Sequence, residues 1–164
     1  MRLPTLLAAT ALAATMSAPS AGAAEHGDMK KGDMMKVYAA MAKLEANMAE
    51  AAGAVMMAAA GAGDERMQGE AAADFQSDLG QIDAYVTALE GMELTDSQQK
   101  ALDTFKSEWG DLVNVGRALI ENADDSSAYR ERVAEWWQSL DSVDDAIDAE
   151  LEAILEEQGV SVSG

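Results

Sequence analysis

The residues best suited to chemistry in this chain are methionines. Eight of them fall between positions 29 and 67: Met29, Met34, Met35, Met41, Met48, Met56, Met57 and Met67. Thioether sulfur is a soft ligand that suits Cu(I), and exported copper carriers use Met-rich segments with an occasional His. His26, Met29, Met34 and Met35 lie near the expected mature N-terminus, where a flexible arm could wrap one ion. Packing is the competing reading. Met34, Met41 and Met48 recur every seventh residue, where an unbranched side chain fills a helical core.

A second candidate is acidic. From Glu135 to the C-terminus there are nine acids and no base. Asp141, Asp144, Asp145 and Asp148 recur at helical spacing and share a face, and like charges one turn apart each cost a few tenths of a kcal/mol. Such a face is either solvated or in want of a counter-ion or basic partner. It has no Asp-x-Asp-x-Asp-Gly loop to wrap calcium. A third candidate is aromatic. Trp109 and Trp136 fall on apolar seams, and Gly116 would open space one turn past Leu112. A pocket walled by the two indoles would then have Arg117 as its natural anion contact. Alternatively, Gly116 admits a Trp ring to close packing.

Composition removes several function classes. The chain has 164 residues, no Cys and one His. Disulfides, thiolate metal sites, cysteine nucleophiles and any two-imidazole site are excluded together. Thirty acids against eleven bases give a formal charge of -19, which makes nucleic acid and anionic membrane surfaces poor partners. No nucleophile elbow, phosphate loop or dinucleotide fingerprint is present, so binding rather than turnover is expected, without a cofactor unless the copper reading holds.

The elements that must position these residues are helical. Met34, Val37, Met41, Leu44, Met48, Ala51, Val55 and Ala58 are spaced alternately by three and four, the repeat of a helix packing on helices. Gly61-Ala62-Gly63 should stop this helix and Asp64 cap the next. The second seam is Phe75, Leu79, Ile82, Val86 and Leu89, with Gly91 expected as a left-handed cap. Thr95-Asp96-Ser97-Gln98 is a capping box opening a third seam, Leu102, Phe105, Trp109, Leu112, Gly116 and Leu119. The fourth runs Tyr129, Val133, Trp136, Leu140, Val143, Ile147, Leu151 and Ile154, and Gly159 should end it. Both Pro lie at or before position 19, and no segment alternates with period two. The expectation is all-α: an antiparallel up-down-up-down four-helix bundle over 34–159, with helices at about 34–60, 64–90, 96–122 and 127–158. Residues 24–33 would form a flexible polar arm, and 160–164 a tail.

Residues 1–23 read as a cleaved signal peptide. Arg2 supplies the positive start, Leu6 to Met16 the short apolar run, and Ala21-Gly22-Ala23 the cleavage site. The apolar run falls short of the roughly 20 residues that span a bilayer. The product is expected to be periplasmic or secreted, without a membrane span in its mature form, as a monomer or homodimer.

Helices two and three carry a family resemblance. The block Phe75-Gln76-Ser77-Asp78-Leu79-Gly80-Gln81-Ile82-Asp83-Ala84-Tyr85-Val86-Thr87-Ala88-Leu89-Glu90-Gly91 is followed by Leu94-Thr95-Asp96-Ser97-Gln98-Gln99 and then Phe105-Lys106-Ser107-Glu108-Trp109. This series resembles the N-terminal domain of type IV pilus methyl-accepting chemotaxis transducers and of nitrate/nitrite sensor kinases. The resemblance covers about a third of the chain and implies a periplasmic four-helix sensory bundle that binds a small ligand or a protein partner. The nitrate-sensing members hold their anion with an arginine of the first helix, and residues 34–60 here contain no Arg.

Overall fold

Each of the four apolar seams becomes the inner stripe of one helix. The structure, a computed structural model, describes residues 30–159. Its elements are α1 (Lys31–Ala60), α2 (Glu65–Glu90), α3 (Asp96–Glu121) and α4 (Ser127–Glu157), and the described residues include no strand. The signal-peptide segment, most of the arm and the tail lie outside them. Among the described residues no helix is long and apolar enough to cross a membrane.

Polar residues in the turns set the helix ends. The Asp64 carboxylate accepts from the backbone N–H groups of Arg66 and Met67 at the start of α2. The preceding turn needs Gly63, whose φ of 85° lies in the left-handed region that side-chain-bearing residues rarely adopt. At the start of α3 the expected capping box is formed: Gln98 N–H donates to Thr95 Oγ1, and Thr95 N–H to Gln98 Oε1. Ser126 Oγ accepts from Tyr129 N–H to open α4. Gly91 departs from expectation. Its φ of -86° is right-handed, and its N–H closes the last turn on Ala88 and Leu89 carbonyls without a left-handed cap. Helix α1 begins at Lys31, so the last residues assigned to the arm are already helical.

The helices form a ring in which α1 packs closely on α2 and α3 on α4, α4 closes back on α1, and α2 and α4 are diagonal. Their antiparallel order is marked at both ends. Gln158 Nε2 donates to Met34 Sδ at 3.0 Å at one end, and Gln68 Nε2 to the Ala123 carbonyl at 3.3 Å at the other. Every residue of the first, third and fourth seams is buried, and in the second only Val86 is half-buried. Met41 and Met48 are core residues, each with almost no exposed surface. A second row of small residues, Ala40, Ala52 and Ala54 on α1 and Ala71 on α2, is buried beside the seams. These side chains let the helix backbones approach.

The tightest point lies at Gly116 of α3. A Cβ there would come within 2.9 Å of Phe75 Cζ from α2 and 3.2 Å of Trp136 Cζ2 from α4. Trp136 is fixed by its indole N–H, which donates to the Leu112 carbonyl at 2.8 Å, and Tyr129 OH does the same to the Leu119 carbonyl at 3.1 Å. Two α4 side chains thus bond to α3 backbone one helical stretch apart. Each buried aromatic of this kind contributes on the order of 1.5–3 kcal/mol through its apolar surface.

We expect Gly116→Ala to destabilise the bundle by about 1–2 kcal/mol. Overpacking costs about 1–3 kcal/mol and helix propensity returns about 1. Trp136→Phe should cost a similar amount through the lost hydrogen bond and the void beside Gly116. Urea midpoints of the two variants check this, and a Gly116→Ala protein more stable than the parent would contradict the packing.

Candidate functional site

An open groove of about 950 Å³ runs along the outer face between α3 and α4. Its floor is apolar: Leu112, Val115, Leu119, Trp136 and Val143. Val115 is 48% exposed, one of four large apolar side chains so exposed among the described residues. The rim is polar and mainly acidic, with Glu108, Asp111 and Glu135 against Arg132, and hydroxyls from Ser107, Ser139 and Ser142. The groove follows α3 from Ser107 to Leu119, about 18 Å at 1.5 Å per residue. It is therefore a trough rather than an enclosed chamber.

Only part of the aromatic pocket read from sequence meets here. Trp136 contributes an edge to the groove floor, while Trp109 stacks on Phe105 with ring centroids 5.6 Å apart inside the core. The space at Gly116 is taken by the Phe75 and Trp136 rings. Arg117 is exposed and does not line the groove, so the base that does is Arg132. Arg132 also stands 5.7 Å from the Tyr129 ring centroid, in cation–π range. Sequence reasoning passed over Val115 and Arg132 because neither falls on a seam.

The methionine set divides. Met34 is buried and its sulfur accepts from Gln158, whereas Met35 is exposed on the outer side of α1. His26 and Met29 lie outside the described residues. Trp137 follows the buried Trp136 and stands 46% exposed at the α1–α4 flank, over Met48, Ala49, Ala52 and Leu140.

Acidic side chains gather at two interhelical seams. On the α1–α4 flank, Glu45, Asp144 and Asp148 each bring a carboxylate oxygen within 4.8 Å of the others, a spacing that one cation could bridge. Partial burial pushes the Glu45 carboxyl above its ordinary range, with the Asp148 and Asp144 charges adding to the effect. Asp144 is raised by burial first, then by Asp148, Asp141 and Asp145. The acidic face of α4 is thus not wholly solvated, since Asp144 turns toward α1. On the α1–α2 side a smaller groove of about 330 Å³ is lined by Glu50, Asp74, Ser77 and Asp78 above Gly53, Ala54 and Met57. Asp78 is buried there, and burial, then Glu50, then Asp74, raise its pKa.

No family model, no characterised protein and no solved structure matches this chain.

The three raised carboxyls set the sign of the pH dependence. Each holds its proton to higher pH in the folded chain than in the unfolded one. The folded state therefore binds more protons between the ordinary carboxylate pKa and the raised value, so stability falls as pH rises through that window and levels off above it. Asp33, lowered by Lys36, and Asp124, lowered by Ser126, act in the opposite sense but are fully exposed. The melting temperature should therefore be higher just above the ordinary carboxylate range than at neutrality. Asp144→Asn should raise the neutral value by a few degrees and flatten the slope, as differential scanning fluorimetry across pH would record. An unchanged slope in Asp144→Asn would contradict the assignment.

Proposed function

We propose that this chain is an exported, non-catalytic binding module that docks an amphipathic helix of a basic protein partner in the α3–α4 groove. The observation carrying this reading is an apolar floor with an exposed Val115 inside a trough some three helical turns long. A helix laid in such a groove buries an i, i+3, i+4, i+7 stripe and leaves its flanks over the rims. Those rims carry Glu108, Asp111 and Glu135 against Arg132, on a chain of formal charge -19. Lysine or arginine flanks on the partner match that field and speed the encounter. The export reading follows from residues 1–23, whose removal makes the chain one unit more negative. Turnover has little support: the sequence has no Cys, one His and no nucleophile elbow.

Isothermal titration with a designed Leu/Lys amphipathic helix and its scrambled counterpart tests the proposal. The helical peptide should bind more tightly than the scramble, and Val115→Glu should weaken it about tenfold by placing a charge in the apolar floor. Equal binding of both peptides, or a Val115→Glu variant that binds as well as the parent, would sink it.

A further inference from the structure

The α1–α2 groove holds a carboxyl that nothing in the fold explains. Asp78 lies on the inner side of α2, between the core residues Phe75 and Ile82, with 8% of its surface exposed. No hydrogen bond or ion pair reaches its carboxyl from any described residue, and its electrostatic neighbours are two further acids, Glu50 and Asp74. No Lys or Arg among the described residues lines the groove. A carboxylate drawn largely out of water without a counter-charge is destabilised, and mutual repulsion with two neighbours adds to that. A partner supplied from solution relieves both costs.

We propose that this groove is a binding site for an alkylammonium group, with the –NH₃⁺ donating to Asp78 and the alkyl chain lying over Ala54 and Met57. Three observations select an organic ammonium over a bare divalent ion. Among the described residues, the trio of carboxylates close enough to share one bare ion is Glu45, Asp144 and Asp148 on the other flank of α1. The groove's volume of about 330 Å³ is of small-ligand size rather than ion size. Its base is apolar, and a Cβ at Gly53 would have no neighbour within 4 Å, so the space beside Ala54 is open. An ammonium can donate to Asp78 while its charge offsets those of Glu50 and Asp74, and its methylene chain gains by covering the Ala54 and Met57 side chains.

The same chemistry is offered by a free diamine and by a lysine side chain. The test is calorimetric titration at low ionic strength with putrescine, N-acetyl-lysine amide and magnesium chloride in separate arms. Putrescine or the lysine derivative should bind the parent protein, and whichever binds more tightly identifies the source. Asp78→Asn should weaken that binding about tenfold or more, the order expected for a lost charge-assisted hydrogen bond. Asp141→Asn, an acid outside this groove, should change it less than twofold. Gly53→Leu fills the open space and should abolish binding with Asp78 still in place. Asp78→Asn removes a buried charge without changing shape, so its melting temperature should hold or rise. Val115→Glu should bind the amine as the parent does, which separates this site from the α3–α4 groove. Amine binding that persists undiminished in Asp78→Asn would reduce the effect to general acidity and overturn the proposal. Absence of binding at millimolar amine would overturn it too, as would tighter binding of magnesium than of either amine.

Discussion

Three helices converge on a position with no side chain. At Gly116 the α3 backbone receives the Phe75 ring from α2 and the Trp136 ring from α4, two helices that are diagonal in the bundle. Without a Cβ at this point the rings come closer than any larger residue would permit, and Trp136 gains reach for its bond to the Leu112 carbonyl. Much of the rest follows. Stacking of Phe105 on Trp109 continues the aromatic layer along α3, and Tyr129 repeats the α4-to-α3 bond near the turn. Because the rings are drawn inward, the outer face of the α3–α4 pair is left shallow and apolar, with Val115 on its floor. The α3–α4 groove is a by-product of the packing that holds the core.

The other side of the ring is built on different physics. Small residues, Ala51, Ala52, Ala54, Ala58 and Ala71, bring α1 and α2 together with little apolar bulk between them. Polar groups are trapped there as a result. Asp78 is one, and Asn47 is another: its Nδ2 donates to the Lys43 carbonyl, and its Oδ1 is buried without a partner. On the far flank of α1, Glu45 faces Asp144 and Asp148. The bundle therefore joins an aromatic half whose buried polar groups are paired to an alanine-rich half that traps unpaired ones. Exposed ion pairs such as Arg66–Glu70 and Lys36–Asp33 do little to offset this, because solvent screens them.

Much of the architecture was legible from spacing alone. Alternating steps of three and four identify the inner stripe of each helix because a buried stripe admits few polar residues, and the Thr95–Gln98 box and Asp64 cap are local enough to read directly. What escaped depends on register between helices. Glu45 carries no signal of its own until α4 is laid against α1, and Asp78 reads as an ordinary helix acid until α1 covers it. Alanine gives no pattern either, since it is tolerated inside and outside. The pocket expected at Gly116 and the packing observed there arise from the same residue types. Only the positions of Phe75 and Trp136 distinguish them, and Phe75 belongs to a different helix. Gly91 looked like a left-handed cap because of its place after Leu89, but the following Met92-Glu93-Leu94 turn continues without reversing φ there.

Nuclear Overhauser contacts from the Gly116 α-protons test the convergence most directly. The account requires cross-peaks to ring protons of both Phe75 and Trp136, together with a Trp136 indole N–H whose exchange is slowed to the rate of global unfolding. Cross-peaks to neither ring, or an indole N–H that exchanges as fast as that of the exposed Trp137, would contradict the structure on which every functional reading here depends.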